Sequence, residues 1–412
     1  MNVIAVIILI VLLFEFVLGL VSNLLNLKSL KMELPESLTD VYEPDKYRRS
    51  QEYTRSKTYF DLVSGAFSLL VLLIFWLLGG FNLLDTFARG IVDHPIVTGL
   101  IYIGVLMLLH TLISLPFGIY STFVIEEQFG FNKTTPRTFV LDIVKGTCLL
   151  VVLGCPLLAV VLVFFEYAGE LAWIYGWVSV TIFSLTMAFI APTWIMPLFN
   201  KFTPMESGDL KDSIFSYAKS VDFTISNILV MDGSKRSNKA NAFFTGFGKN
   251  KRIALFDTLI EKHSTSEIVA VVAHEIGHYK KRHIPIGILI GVCSTGLLFY
   301  LLSLILDTSQ LYDAFGMEEQ SIYSGLVFFG FLYTPVELVL STGRMAISRY
   351  HEYQADLWSI QTTGDPQSLV AGLKRLSSDT LSNLTPHPLQ VFLTASHPPL
   401  LQRISAIHKY KG

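Results

Sequence analysis

Charge is scarce in this chain. Asp, Glu, Lys and Arg make up 16% of its 412 residues, against about 25% in an ordinary soluble domain, and that deficit excludes a simple water-soluble globule. Cysteine is scarcer still, with Cys148, Cys155 and Cys293 only. All three sit in apolar runs, at spacings that match neither a zinc cluster nor a disulfide framework, so they are expected to be small buried hydrophobes. Net charge is nearly absent, at -2, which offers nothing to attract a nucleic acid. Internal repeats and low-complexity tracts are missing, and the chain ends without a KDEL-type signal.

What is abundant is apolar surface: 51% of the residues are hydrophobic. Seven runs reach the roughly 20 apolar residues that a bilayer crossing requires, near 3–25, 60–81, 96–118, 146–165, 171–195, 285–306 and 322–341. The fifth is the least apolar, and its Trp173, Tyr175 and Trp177 suit an interfacial aromatic belt. The first run is preceded by no basic residue, is followed by no small-residue cleavage site and is long for a signal peptide, so an uncleaved span is expected. Glu15, His110 and Glu337 fall in or near spans, where ionisable groups usually face a bundle interior or water.

Basic residues give the orientation. Of the 31 Lys and Arg, 30 lie in 26–59, 119–145, 196–284 and 342–412, and Arg89 alone lies on the other side. By the positive-inside rule those four segments are cytoplasmic. The expected organisation is therefore mainly α. Five spans with their loops fill 1–195, polar segments fill 196–284 and 342–412, and spans six and seven fill 285–341 between them. A hairpin of two spans would bring the polar segments together as one compact α+β domain. The short ending points to a bacterial inner membrane rather than the endoplasmic reticulum.

Within 196–284, apolar spacing predicts a helix over 209–221. Strands are expected at 225–231, at 241–247 (closed by Gly248) and at 252–256. Ser264 with Glu267 three residues on is a capping-box signature that starts a helix into His274-Glu275-Ile276-Gly277-His278. Further helices are expected at 344–360 and 366–377, and after His397-Pro398-Pro399.

His274 and His278 are four apart, so on a helix both imidazoles share one face and could bind a single Zn²⁺. Glu275 follows the first ligand and would stand beside the metal's water, whose pKa zinc lowers to about 7, ready to take its proton. This is the chemistry of H-E-x-x-H hydrolases. Gly277 is costly in a helix interior, by about 1 kcal/mol against Ala, and would let backbone or substrate come near the metal. A third protein ligand is needed. Glu352 is the best candidate, with Asp356 one turn on as a hydrogen-bond anchor for a ligand histidine or a late proton donor. His351 competes, but it lies about 100° round the helix from Glu352, so both are not expected on one ion.

At these residues the chain resembles the type I CAAX prenyl endopeptidases, seven-span membrane zinc proteases of the gluzincin type. Four stretches carry the resemblance: Met196-Pro197-Leu198-Phe199-Asn200-Lys201-Phe202-Thr203-Pro204; Asn241-Ala242-Phe243-Phe244 through Lys251-Arg252-Ile253; the motif helix; and 351–356. Ser396-His397-Pro398-Pro399-Leu400-Leu401-Gln402-Arg403 adds to them. The resemblance implies a seven-helix bundle around a large water-filled chamber. It implies one zinc ion held by His274, His278 and Glu352, with Glu275 as base, and it maps a transition-state-facing histidine and a nearby arginine onto His397 and Arg403. It also implies a substrate-aligning edge strand at Asn241, Ala242, Phe243 and Phe244, and cleavage near the C-terminus of prenylated peptides at the lipid bilayer. Read from the residues alone, His397 could stabilise an oxyanion or simply cap a helix, and the strand could bind an extended peptide or only pack in a sheet.

Three other readings compete. An intramembrane-cleaving protease would bury its motif in an apolar span, whereas Glu261, Lys262 and His263 precede this one and Lys280, Lys281, Arg282 and His283 follow it. A membrane quality-control protease would share the metal chemistry without prenyl specificity. A transporter with a structural zinc would close its site with four protein ligands and often shows repeats.

Overall fold

The apolar runs form seven helices long and apolar enough to cross a bilayer: Val3–Ser29, Pro44–Leu77, Pro95–Glu126, Pro136–Tyr167, Gly169–Phe199, His283–Ile305 and Ile322–Thr363. The computed structural model describes residues 2–31, 33, 34, 39, 42–245 and 251–410. The second helix departs from the expected 60–81. It begins at Pro44, whose fixed φ suits a first turn, and ends at Leu77, because Gly79 adopts φ 74 and a separate helix, Gly80–Ile91, starts after it. Only glycine takes that left-handed conformation without strain.

The seventh helix departs further. The expected span and the expected helix at 344–360 are one unbroken element of 42 residues, Ile322–Thr363. Nothing at the junction stops it. Ser341 and Thr342 return their hydroxyls to the Leu338 carbonyl at 3.0 and 2.7 Å, and Gly343 alone is too weak a breaker. Glu337 pairs with Arg344 across the junction. The helix stops at Gly364, with φ 67. The junction between 341 and 342 is thus continuous helix.

On the side far from the motif, the connector between spans six and seven is packed by aromatic rings. Phe315 and Phe328 stack with centroids 3.8 Å apart, and Trp76 Nε1 donates to the Ala314 carbonyl at 2.9 Å. Elsewhere the spans bury little against one another: in the second and fifth, 6% of the most apolar window is buried. That explains the cysteines. Cys148 and Cys293 are exposed and Cys155 is half-buried, because in a span an apolar run does not imply a protein core. Trp177 does more than sit at an interface. Its Nε1 donates to Val292 of the sixth span at 2.9 Å, and Gly296 makes room for its ring.

The two polar segments pack on each other through the helices that carry the two motifs. Strands β1 (Phe202–Pro204), β2 (Asn227–Met231), β3 (Ala242–Thr245) and β4 (Arg252–Phe256) form a sheet in the order β1-β2-β4-β3. β2 and β4 are parallel and the other pairs antiparallel. β3 was expected to run to Phe247 and close at Gly248; residues 246–250 lie outside those described. β1 and two short helices, Asp257–Lys262 and Pro388–Thr394, were not expected from periodicity. The helices Asp209–Ser220, Pro366–Asp379 and Leu400–Lys409 lie where the sequence puts them.

Candidate active site

The motif helix is Thr265–Lys280. Its capping box is complete: Glu267 N–H donates to Ser264 Oγ at 3.4 Å, and Ser264 N–H donates to Glu267 Oε2 at 3.2 Å. Such a cap contributes about 1 kcal/mol. Ile268, Val272 and Ile276 recur every fourth residue and are buried against Ile228, Ile253 and Leu255 of the sheet. Burying each contributes about 1.5–3 kcal/mol. That stripe turns Ala270, His274 and His278 toward the seventh span. There Ser359 Oγ donates to the Ala270 carbonyl at 2.8 Å. A Cβ on Gly277 would come within 3.0 Å of Trp358 Cβ. The missing side chain therefore admits Trp358 of the neighbouring helix, not a substrate.

This contact brings the two motifs into register. His274 Nε2 and His278 Nε2 face each other at 3.1 Å. Glu352 lies opposite, with Oε2 3.4 Å from His274 Nε2 and Oε1 3.4 Å from His278 Nε2. One donor atom from each residue falls within 4.8 Å of the others, the spacing that two imidazoles and a carboxylate need to hold one metal ion. Two observations fit such an ion. Glu352 Oε2 is buried and accepts no well-formed hydrogen bond, although His274 Nε2 and Arg403 Nη1 stand 3.4 and 3.3 Å away, so it keeps a lone pair for a closer positive partner. And against burial and the Arg403 charge, two carboxylates, Asp356 and Glu352, converge on His274 and raise its pKa to about 9.

The other side of His274 is held by charge. Its Nδ1 lies 2.9 Å from Asp356 Oδ1. Asp356 is gripped by Arg403, whose Nε and Nη2 reach its two oxygens at 2.8 and 2.6 Å. Arg403 is buried, and its Nη1 comes to 3.3 Å of Glu352 Oε2. The resemblance implies an arginine near the transition-state-facing His397; most of the donors of Arg403 are spent on two carboxylates. His351 does not join the three. Its ring stacks on His283 with centroids 3.8 Å apart and planes 7° apart, as the 100° helical offset from Glu352 requires.

A cavity of about 560 Å³ opens over this cluster, lined by His274, Glu275, Glu352, His397, Arg403, Asn241 and Ala242. Burial raises the Glu275 pKa above its ordinary value, the direction that suits a base working near neutrality. His397 is exposed to the cavity, with Nε2 3.4 Å from Glu352 Oε1. β3 ends the sheet, and among the described residues no strand pairs with its outer edge. Phe244 packs beneath it on Phe223 and Tyr279, and Phe243 rests near Phe256. The sequence reading missed His283, which contacts His278, and Gln354, which contacts His283. The spacing from His278 to His283 was visible, but the turn that folds one ring onto the other was not.

Comparison with known proteins places this geometry. Residues 23–201 match the family model described as CAAX prenyl protease N-terminal, five membrane helices, and residues 204–411 match peptidase family M48. The chain is 36% identical to a CAAX prenyl protease 1 homolog of Arabidopsis thaliana over 93% of each chain. It is also 36% identical to CAAX prenyl protease 1 of Saccharomyces cerevisiae, over 91% of this chain and 88% of that one. It superposes on the crystal structure of S. mikatae Ste24p with a TM-score of 0.94 at 34% identity, covering 100% of both.

Proposed function

The chain belongs to peptidase family M48 and is a multi-pass membrane metalloendopeptidase; on that premise we propose that it cuts CAAX-type, C-terminally prenylated peptides using one zinc ion. The observation that carries the reading is the convergence of His274, His278 and Glu352 beside a cavity that His274 and Glu352 line, bordered by a strand edge with which no described strand pairs. His274, His278 and Glu352 would hold the metal, which when bound activates a water and polarises the scissile carbonyl. Glu275 takes the water's proton and passes it to the leaving amine. Asp356, clamped by Arg403, holds His274 in orientation; with both oxygens paired behind that ring it serves as an anchor rather than as a late proton donor. His397 donates from the open side of the cavity to the oxyanion. Arg403 offsets the negative charge of Asp356 and Glu352 beside the cavity, which lessens their repulsion of a substrate's terminal carboxylate. Asn241, Ala242, Phe243 and Phe244 hold the peptide extended by strand addition.

The lysine and arginine asymmetry supports a cytoplasmic active site at the membrane surface. A lipidated substrate would be concentrated there, at about 0.8 kcal/mol per buried CH₂. The test is cleavage of a farnesylated CAAX peptide beside its unmodified copy, in parent and Glu275→Gln protein. The expected result is faster cleavage of the farnesylated peptide with release of its last three residues, abolished in the variant. Equal cleavage of both at many internal sites would replace prenyl specificity with general membrane-protein degradation.

A further inference from the structure

The two histidines of the motif are held from behind in different ways. Both turn Nε2 toward Glu352, so the Nδ1 atom of each points away. His274 Nδ1 finds the Asp356 carboxylate. His278 Nδ1 finds no carboxylate; it lies 3.0 Å from Nδ1 of His283. The other nitrogen of His283, Nε2, lies 2.8 Å from Gln354 Oε1.

Only one arrangement of protons fits all three residues once Nε2 of His278 is a metal ligand. That nitrogen must be bare, so the proton of the neutral ring sits on Nδ1. Nδ1 of His283 must then accept, and its own proton moves to Nε2, which donates to the Gln354 amide oxygen. Three further features fix the His283 ring in that role. Arg282 adopts φ 61, a left-handed turn that folds the start of the sixth span back onto the end of the motif helix. A non-glycine residue rarely holds that conformation unless its surroundings impose it. His351 stacks flat on His283 and sets the plane of its ring. Gln354, three residues beyond His351 on the same helical face, sets its rotation.

We propose that His283 is the positioning residue for His278. It accepts the Nδ1 hydrogen bond of that ring and relays it to Gln354, which leaves His278 neutral with Nε2 aimed at the metal. The seventh span thereby serves both ligand histidines: Glu352 and Asp356 from one face, His351 and Gln354 from the next. The His274 side is anionic and the His278 side is neutral, so the site gains orientation at His278 without a further carboxylate. This inference rests on His278 being a metal ligand.

The test reads metal binding rather than turnover. Zinc affinity of the purified full chain is measured by competition with a chelating dye, and the absorption spectrum is recorded with Co²⁺ in place of zinc. Replacing the partner of a metal-bound histidine typically costs about 10–100-fold in metal affinity. His283→Phe is expected to show that loss with an altered cobalt spectrum. His283→Asn, whose Oδ1 stands near the position of Nδ1, is expected to return affinity to within about threefold of the parent. Gln354→Leu should fall between them, and the double variant His283→Phe with Gln354→Leu should bind no more weakly than His283→Phe alone. Unchanged affinity and cobalt spectrum in His283→Phe would overturn the proposal. So would an Asn variant as weak as the Phe variant, because His283 would then act only by its bulk. If His283→Phe fails to fold, His283→Asn and Gln354→Leu carry the same comparison. His278→Ala is the control: if it keeps its metal, the ligand assignment falls and takes the inference with it. If it loses metal while His283→Phe does not, only the inference falls.

Discussion

Gly277→Ala sets two effects against each other. In a free helix, Ala in place of Gly stabilises by about 1 kcal/mol. Here the added Cβ would lie 3.0 Å from Trp358 Cβ and 3.1 Å from its Cγ and Cδ1. Trp358 Cβ is tied to the backbone of the seventh span, so relief requires the two helices to part by a few tenths of an ångström. Overpacking of this kind costs about 1–3 kcal/mol. The sum is neutral to roughly 2 kcal/mol destabilising, opposite in sign to the helix-propensity expectation. The metal should feel the change more than the fold does. The helices that part carry the two histidines and Glu352, and metal–ligand distances tolerate only about ±0.2 Å. Zinc affinity is expected to fall on the order of tenfold. Thermal unfolding of the metal-free protein and chelator competition for zinc measure the two quantities separately. A variant that melts higher and binds zinc as tightly as the parent would refute the close-packing argument.

Glu275→Gln should keep its metal and lose about 10²–10⁴-fold in turnover, read as zinc content and peptide cleavage on one sample; full activity would exclude Glu275 as the base. Glu352→Gln should lower zinc occupancy, whereas His351→Ala should leave the ion bound; the reverse pattern would exchange their roles. His263 is buried, and burial lowers its pKa despite Glu267 3.3 Å away. The unfolded chain therefore binds a proton near pH 6.5 that the folded chain resists, and stability should fall as pH drops below about 6.5. His263→Leu should flatten that dependence, and melting curves with identical slopes in both proteins would count against it. In a background without the native cysteines, cysteines placed in 307–321 should react with an impermeant reagent from outside. Those in 26–57 should react only after permeabilisation, and the opposite labelling would invert the orientation.

Much of the site is written in local spacing. The Ser264 and Glu267 cap, the four-residue step from His274 to His278 and the matching step from Glu352 to Asp356 are helical regularities, and each is present in the fold. The seven spans follow from run length. Less legible are features set by contacts between elements. Gly277 gives no sign in the sequence that its partner is Trp358. The stacking of His351 on His283 depends on a left-handed turn at Arg282, a residue with no preference for it. The unbroken seventh helix was hidden because a change from apolar to polar residues resembles a boundary, although no proline or turn marks one. The cysteines misled for the same reason: hydrophobicity reports what a residue avoids, and in a span that is satisfied by lipid.

That continuous helix makes the catalytic half a lever arm. Pro335 lies inside it and lacks the amide hydrogen of its turn, so bending is easiest there. From Pro335 to Glu352 the helix rises roughly 25 Å, and each degree of bending at the proline swings Glu352 by about 0.4 Å. The Ser359 hydrogen bond to Ala270 and the seating of Trp358 on Gly277 couple the motif helix to the same arm. Bending therefore carries the three metal-binding groups together and leaves their mutual distances intact. What would change is how the catalytic floor sits against the first five spans, to which Ser22–Gln390 and Arg236–Asp142 contacts tether it. Bilayer thickness, which tilts and bends spanning helices, would then act on how substrate enters, altering KM with acyl-chain length while zinc affinity stays constant.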